Sequence, residues 1–210
     1  MSLSLVEANT LVVLDFETTG LSVRQGARPI EIGAVKLVDG IVVDRFQELM
    51  NPGVRVDHFI EGYTGISNQM LATARPCAEV MADFADFIVG CNLLAHNASF
   101  DRAFLQEELV RLGRRAEGEF LCTLLLSRRL YPEAGSHKLA NLVAYKNIAN
   151  DGVFHRALAD AEVTARLWLR MLEDVRQNFN LRDLTFAEYA RLQKLPKAKV
   201  AGYLASLAAA

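Results

Sequence analysis

The order of the elements that the sequence predicts indicates an α/β fold with a mixed sheet. Three β-prone segments come first, and helical segments with a further buried strand follow them. The chain has 210 residues, of which 51% are hydrophobic, so one domain with a substantial core is expected. A shift in composition predicts a domain over residues 1–177 and a helical C-terminal appendage over residues 178–210.

The first strand is predicted over residues 10–16, because this short run of apolar and β-branched residues suits a buried central strand. Residues 30–37 and 41–50 are rich in β-prone residues and are predicted as the second and third strands. Asp39-Gly40 lies between them and is a strong signal for a tight hairpin. Residues 51–53 (NPG) end the third strand as a turn.

The chain then becomes mostly helical. Residues 76–90 predict a helix with a proline in its first turn and a glycine at its end, and residues 91–95 predict another buried strand. Asn97 or Ser99 is expected to cap the next helix, which stops at Gly113. Further helices are predicted over residues 123–130, 138–145, 158–176, 183–192 and, after Pro196, up to residue 207.

Charge and cysteine content limit the classes of function. The 23 basic and 25 acidic residues give a net charge of −2, which argues against a protein that grips duplex DNA by its phosphates. No window has ~18 uninterrupted apolar residues, and residues 1–4 (MSLS) have no basic or apolar character, so neither a membrane span nor a secretory signal is expected. Cys77, Cys91 and Cys122 are widely spaced, which is typical of reduced thiols in a cytoplasmic protein and excludes a cysteine-based zinc site.

Two acids end the first predicted strand. Asp15 and Glu17 are two residues apart, so both carboxylates point to the same face of the sheet. Ligands bind at this end of the strands in open α/β sheets. One acid could instead cap the turn at residues 18–20, but two like charges this close favour a bound cation.

Asp101 and Asp160 each stand at the head of an apolar helical stripe. Phe104 and Leu105 follow Asp101 at helical spacing, so this acid is expected to face the sheet. The stripe that follows Asp160 consists of Val163, Thr164, Leu167, Trp168 and Met171. For either acid alone, a first-turn aspartate favoured by the helix dipole is the simpler interpretation.

Together, four acids on buried faces are costly without a counter-charge. Hard divalent cations with oxygen ligands, Mg²⁺ or Mn²⁺, are the natural partners, and two such ions ~3.5–4 Å apart form a clamp for phosphoryl displacement. His155 precedes Asp160 by five residues, so it can join this site only from a loop, which the residues 150–152 (NDG) predict. A histidine there is a candidate general base, although an ordinary surface histidine is the alternative.

Three segments match one family in the right order. They are DFETTG at residues 15–20, HNASFD at residues 96–101 and HRALAD at residues 155–160. These segments resemble the three motifs of DnaQ-like 3′–5′ exonucleases of the DEDDh type, the family of the proofreading epsilon subunit of bacterial DNA polymerase III. The resemblance extends over residues 11–172.

The resemblance implies an RNase H-like fold, with a mixed five-stranded sheet that contains one antiparallel strand and is flanked by helices. It implies that Asp15, Glu17, Asp101 and Asp160 hold two Mg²⁺ or Mn²⁺ ions. His155 would deprotonate the attacking water, and nucleoside 5′-monophosphates would leave from a nucleic acid 3′ end. Single-stranded DNA is the expected substrate and a DNA polymerase is a candidate partner. The positions that match substrate contacts in the family are Thr18, Leu21, Gly65, Ile66, His96, Asn97 and Phe100. For Leu21, Ile66 and Phe100, an ordinary core position is the alternative.

Some positions depart from the family pattern, and other functions stay open. Thr64 stands where many relatives have histidine, and Cys122 where many have an aspartate that is not a metal ligand. A catalytically silent binding module and a 3′–5′ exoribonuclease are alternatives, whereas a dinucleotide-binding enzyme would require a glycine-rich motif that is missing. The basic appendage either covers an apolar surface or contacts a substrate or partner. Two divalent ions would bring the net charge to roughly +2, which weakens the charge argument against nucleic acid.

Overall fold

A computed structural model describes residues 7–150 and 155–208. Within these ranges the chain forms six strands and nine α-helices around one sheet. The strands are β1 (Leu11–Thr18), β2 (Pro29–Val38), β3 (Ile41–Asn51), β4 (Arg75–Pro76), β5 (Leu93–Ala95) and β6 (Phe120–Cys122). The helices are α1 (His58–Thr64), α2 (Asn68–Thr73), α3 (Cys77–Phe87), α4 (Ser99–Arg111), α5 (Thr123–Leu130), α6 (Leu139–Tyr145), α7 (Ala157–Phe179), α8 (Phe186–Leu192) and α9 (Val200–Ala208).

The sheet has the order β4-β3-β2-β1-β5-β6, with β1 near its centre. Strand β2 runs antiparallel to both of its neighbours, and the other adjacent pairs are parallel. The prediction of a mixed sheet with one antiparallel strand is therefore confirmed. The sheet has six strands where five were expected. The additional strand, β4, consists of two residues at the edge and is too short to have a recognisable hydrophobic period.

The hairpin between β2 and β3 forms where the sequence predicts it. Asp39 and Gly40 have φ angles of 51° and 78°, the left-handed values that a two-residue hairpin turn requires. Val38 and Ile41 pair across this turn. The long β2–β3 ladder thus extends the sheet on one side of β1.

The core consists of two main apolar clusters, one on each face of the sheet. Alternate residues of β1 enter the two clusters, with Leu11 and Val13 on the side of α7 and Val12 and Leu14 on the side of α3 and α4. Helix α7 buries the predicted stripe, and its Trp168 is completely inaccessible. Strand β1 is thus packed between the two apolar clusters, which fixes the position of its carboxyl end.

Gly33 of β2 allows α7 to begin directly on the sheet. A Cβ atom at this position would lie 2.0 Å from the backbone nitrogen of Leu158. A side chain there would force the first turn of α7 away from β2. This close approach brings the first turn of α7 beside the end of β1.

Several local predictions differ from the structure. Helix α4 has Ala98 as its N-cap and no side-chain cap, so the expected capping role of Asn97 or Ser99 is wrong. Asn97 instead has a φ of 64° in the connection before the helix. Helices α1 and α2 are six to seven residues long and were not predicted, although each begins at an N-cap side chain, Asp57 and Ser67. Part of the predicted loop at residues 150–152 lies outside the described residues.

Helices α8 and α9 pack against the cluster that contains α7. Leu192 and Leu204 are fully buried there, and Tyr189 stacks edge-on against Trp168. Gln193 continues this contact at the sheet, because its Oε1 accepts a hydrogen bond from the Cys122 N–H and its Nε2 donates one to the Phe120 carbonyl. The boundary after residue 177 falls in the last turn of α7 and stays a prediction.

The described helices include none that is both long enough and apolar enough to cross a membrane.

Candidate active site

Asp15 and Glu17 lie at the carboxyl end of β1, as the sequence predicts. Their cross-strand neighbours on β2 are Gly33 and Glu31, so both acids share the face of the sheet on which α7 begins. Glu17 is buried and Asp15 is half-buried. The end of the central strand therefore presents two carboxylates to one confined region.

Asp101 is in the first turn of α4 and only 2% exposed. Its Oδ1 accepts a hydrogen bond from the Phe16 backbone N–H, at 3.2 Å. Since Phe16 lies between the two acids of β1, this bond attaches the start of α4 directly to them. The burial of Asp101 is the outcome that its position on the apolar stripe predicts.

Asp160 is in the first turn of α7, and His155 lies just before that helix. The Oδ2 of Asp160 accepts a hydrogen bond from the His155 backbone N–H, at 2.8 Å. His155 has a φ of 66°, so the chain turns sharply at this residue and its side chain remains exposed. The predicted position of His155 outside the helix is confirmed.

Three of the predicted residues come close enough to share an ion. Ligand atoms of Glu17, His155 and Asp160 all lie within 4.8 Å of one another. The carboxyl groups of Asp15 and Asp101 complete the surroundings, because both of them interact electrostatically with their acidic neighbours. All five predicted catalytic positions thus converge at the end of β1.

The acids shift one another's pKa values upward. Burial, followed by the charge of Asp160, raises the pKa of Glu17 to about 8. Burial raises the pKa of Asp101 to about 7. Burial and the charges of Asp101, Asp160 and Glu17 raise the pKa of Asp15 well above its usual value. Burial also raises the pKa of Asp160, against the stabilising N–H bond from His155.

Such crowding fits a divalent cation. Too few positively charged groups lie near these carboxylates for all of them to ionise. A bound cation would favour their charged forms and lower their pKa values. Oxygen-rich ligand sets suit Mg²⁺ and Mn²⁺. The donor set at the end of β1 therefore matches the divalent metal use that its sequence predicts.

Sequence reasoning missed one further acid in this region. Glu31 of β2 lies opposite Glu17, is completely buried and pairs with Arg156, the residue that follows His155. An acid between two isoleucines in a buried strand is the signal that could have identified it. Its partner could not be recognised from the sequence, because Arg156 is 125 residues away.

Two aromatic side chains beside His155 were also missed. The Tyr63 ring lies 4.0 Å from the His155 ring, centroid to centroid, and stacks on Phe59 at 5.8 Å. Phe59 is 74% exposed and Tyr63 is 51% exposed. The two rings thus form an exposed aromatic surface that extends from His155 along α1.

The predicted substrate residues near the first and second motifs line an open cleft. Leu21, which is 87% exposed, lies across from Asn97 and Phe100 in a cleft of about 360 Å³. Thr18 is buried beneath it, and its hydroxyl donates a hydrogen bond to the Gly20 carbonyl. Its side chain therefore stabilises the turn that carries Leu21.

The other predicted substrate residues have structural contacts. Gly65 ends α1 with a φ of 71°. Ile66 is completely buried among Ile30, Val56 and Leu71, which fits a core position, the alternative to a substrate contact at this residue. The prediction for Ile66 followed the family motif, which carries no information on side-chain direction.

His96, another of the predicted substrate residues, contacts Thr123. Its Nδ1 lies 2.9 Å from the Thr123 hydroxyl. Burial lowers the pKa of this imidazole to about 4.

The model of the exonuclease family named for RNase T matches residues 12–168. The chain belongs to this exonuclease family. The matched range contains the four acids and the one histidine that meet at the end of β1. The predicted membership of an exonuclease family is therefore confirmed.

Two curated relatives are similar to this exonuclease domain over most of its length. The PolC-type DNA polymerase III of Caldanaerobacter subterraneus subsp. tengcongensis is 39% identical over 166 residues, which are 79% of this chain and 12% of that protein. The 3′–5′ exonuclease DinG of Bacillus subtilis is 38% identical over 167 residues, again 79% of this chain and 18% of that protein. The chain thus spans less than a fifth of the length of either relative.

Solved structures give the same fold. Exonuclease X in complex with 5′ overhanging duplex DNA has a TM-score of 0.65 and 26% identity, over 85% of this chain and 98% of that chain. The nuclease domain of 3′hExo, a DEDDh family member bound to rAMP, has a TM-score of 0.66 and 20% identity, over 80% of this chain and 95% of that chain. The predicted RNase H-like architecture is confirmed, and the chain is an exonuclease domain by family.

Proposed function

We propose that this domain hydrolyses the 3′-terminal phosphodiester bond of single-stranded DNA and releases nucleoside 5′-monophosphates. The observation that carries the proposal is the meeting of Asp15, Glu17, Asp101, Asp160 and His155 at the end of β1. A site of this kind needs only to position the phosphodiester and to neutralise its charge. A catalytically silent module would have no use for the complete set.

The four aspartate and glutamate side chains are the proposed ligands of two Mg²⁺ or Mn²⁺ ions. When bound, such ions stabilise charge on the scissile phosphate and lower the pKa of the attacking water. Asp101 and Asp160 are held by backbone N–H groups of Phe16 and His155, respectively. Each of these acids therefore keeps a fixed orientation toward the acids of β1.

His155 is the proposed general base. Its exposed imidazole lies within 4.8 Å of the Glu17 and Asp160 carboxylates, so it can take a proton from a water held between them and the substrate. The hydrogen bond from its backbone N–H to Asp160 fixes the residue without occupying the ring. The proton can then pass from the exposed ring to bulk solvent.

The surroundings favour a single strand over a duplex. Leu21 and Phe100 offer apolar surface to a terminal nucleoside in the cleft beside Asn97, and Tyr63 with Phe59 offers rings on which bases can stack. Stacking contributes ~1–3 kcal/mol per base and does not depend on sequence. A few such contacts suit a chain with a net charge of −2, which lacks the basic excess of a duplex-binding protein.

DNA is the proposed substrate because the PolC-type relative is named as a DNA polymerase and exonuclease X was solved with DNA. A DNA polymerase is the proposed partner, since the PolC-type relative contains the matching segment. RNA stays the alternative, because a neighbour of the same fold binds rAMP. Parallel digestion of labelled DNA and RNA decides between the two substrates.

The test is a parallel digestion of three 5′-labelled substrates: single-stranded DNA, duplex DNA with a frayed end, and RNA. With Mn²⁺ or Mg²⁺, the protein is expected to shorten single-stranded DNA one nucleotide at a time from its 3′ end. Chelation with EDTA and the Asp15→Ala variant are both expected to stop the ladder. Faster digestion of RNA would reassign the substrate, and no digestion of any strand with either metal would contradict the proposed activity.

A further inference from the structure

Glu31 is a carboxylate beside the proposed metal ligands that is not available to a cation. It is completely buried and lies directly across the β1–β2 ladder from Glu17. Its charge contributes to the raised pKa values of both Asp15 and Glu17. A buried carboxylate in this position requires partners that stabilise its negative charge.

Hydrogen-bond donors occupy both oxygens of Glu31. Arg156 donates from Nη2 to Oε1 at 2.8 Å and from Nε to both oxygens at 3.2–3.3 Å. The Ala157 backbone N–H donates to Oε2 at 3.1 Å, and the Gln47 side-chain amide donates to Oε1 at 3.1 Å. Paired guanidinium contacts of this kind fix geometry as well as charge. Glu31 is therefore an acceptor for protein donors.

The main donors belong to the two residues that follow His155. Arg156 is the N-cap of α7, with an extended φ of −131°, and Ala157 is the first residue of the helix. His155 itself has a φ of 66°, a conformation that a residue with a side chain keeps only where its surroundings hold it. Bonds on both sides fulfil this condition: the His155 N–H is held by Asp160, and the Ala157 N–H by Glu31.

We propose that Glu31 and Arg156 are a positioning pair that fixes the His155 backbone and the start of α7 relative to β1. The proposal rests on the proposed function, in which His155 takes the proton and Asp160 is a ligand. The pair joins the strand next to Glu17 with the residue next to His155. It thereby sets the distance between the base and the ligands without touching the substrate.

The main variant is Glu31→Gln, which keeps the shape of the side chain and removes its charge. Loss of an outer-shell partner of this kind lowers activity by roughly 10- to 100-fold. We expect that loss in kcat on a labelled DNA strand, with an unchanged KM, because the pair does not contact the strand. Glu31→Asp, which keeps the charge and shortens the reach, is expected to recover part of the activity.

A second readout does not depend on turnover. Hydrogen–deuterium exchange of the His155 and Ala157 amides is expected to accelerate in Glu31→Gln, while the body of α7 keeps its wild-type protection. Arg156→Met is expected to give the same change. The double variant Glu31→Gln/Arg156→Met is expected to be no worse than either single variant, since both remove one interaction.

The matched control is Arg45→Met. Arg45 of β3 pairs with Glu162 of α7 at 2.8 Å, so it also joins the sheet to this helix, but its side chain is 54% exposed. This variant is expected to keep wild-type kcat and wild-type exchange at residues 155 and 157. An equal loss of kcat in Arg45→Met and Glu31→Gln would overturn the proposal, because any link between sheet and helix would then suffice.

The two readouts separate this inference from the proposed function. If the wild-type protein degrades no strand, the proposed function fails, and the exchange of the two amides still decides whether the pair holds this segment. Wild-type exchange at His155 and Ala157 in Glu31→Gln overturns the positioning role. Faster exchange with unchanged kcat on an active protein overturns its connection with catalysis.

Discussion

Helix α7 carries two buried aspartates, Asp160 in its first turn and Asp174 near its end, and their surroundings are opposite in charge. Asp160 faces other acids, and burial raises its pKa. Asp174 accepts hydrogen bonds from Lys146 at 2.7 Å, from the Tyr131 hydroxyl at 2.6 Å and from Arg170 at 3.0 Å. Burial alone would raise the pKa of Asp174, but its bonds to Lys146 and Tyr131 outweigh burial and hold the pKa below its usual value.

The difference separates two purposes of a buried acid on one helix. A structural acid has its counter-charge supplied by the chain, so its charged form stabilises the fold. The acids at the end of β1 destabilise the metal-free fold when they ionise, because the chain supplies too few cations. A cluster of buried acids without enough positively charged partners therefore indicates a cation site.

The largest effect is expected when the two aspartates are changed to asparagine in turn. Asp160→Asn is expected to lower kcat by roughly 10³-fold or more, because metal ions supply several kcal/mol of charge stabilisation in the transition state. Asp174→Asn is expected to keep wild-type kcat. Single-turnover digestion of labelled single-stranded DNA with Mn²⁺ measures both. Equal losses in the two variants would contradict the division between catalytic and structural acids.

The next largest effect concerns the base. His155→Ala is expected to lower kcat by roughly 10²–10⁴-fold, because general-base catalysis contributes about that much. Its affinity for Mn²⁺, measured by calorimetry, is expected to fall less than in Asp160→Asn. An unchanged kcat would show that another group takes the proton.

The stability of the metal-free protein provides a third test. The pKa values of Glu17 and Asp101 in the folded protein, about 8 and about 7, are above the value of about 4 for an unfolded carboxyl group. The folded protein therefore binds more protons between pH 4 and pH 8, and stability is lost as the pH rises through this range. In EDTA the melting temperature is expected to fall from pH 5 to pH 8, by roughly 2–4 °C for each kcal/mol lost.

Adding Mn²⁺ is expected to restore the melting temperature, and to do so most strongly at pH 8. Glu17→Gln is the matched variant, and its melting temperature in EDTA is expected to depend less on pH. A melting temperature that rises with pH in EDTA would contradict the crowding of the acids.

The smallest effect is expected from Asp174→Asn on stability. Loss of hydrogen bonds to a charged group destabilises the fold by about 1–3 kcal/mol. The sign of its pH dependence is opposite to that of the acids at β1. Because the folded pKa of Asp174 is lowered, its contribution is present at neutral pH and is lost as the pH falls below about 4. Urea unfolding at pH 7 and pH 3 measures this, and an equal difference between wild type and variant at both pH values would contradict the sign.

Sequence patterns predicted the elements that are long and periodic, or that have strong turn signals. The β2–β3 hairpin followed from Asp39-Gly40, and α7 followed from the stripe after Asp160. The three-residue strand β6 and the helices α1 and α2 were missed, because elements of this length contain less than two periods of any pattern.

At the site, motif order identified the proposed ligands and the proposed base, because acids on buried faces are rare enough to stand out. The pairing of Glu31 with Arg156 and the stacking of Tyr63 on His155 depend on contacts between distant parts of the chain. Periodicity within one segment carries no information on such contacts. A core position was the alternative for Ile66, but its core partners could not be predicted, since they come from β2 and from the segments around α1 and α2.

The two ends of the sheet differ in how completely their edges are covered. At β6, the Gln193 amide bonds to the Cys122 N–H and the Phe120 carbonyl, as the peptide group of a neighbouring strand would. At the other end, β4 pairs only with Met50 and Asn51 of β3, so among the described residues the edge of β3 over residues 41–49 has no neighbouring strand. Exposed strand edges are the templates on which proteins aggregate. This sheet therefore closes its β6 edge with a side chain, and the edge of β3 is the one along which a strand of another chain can pair.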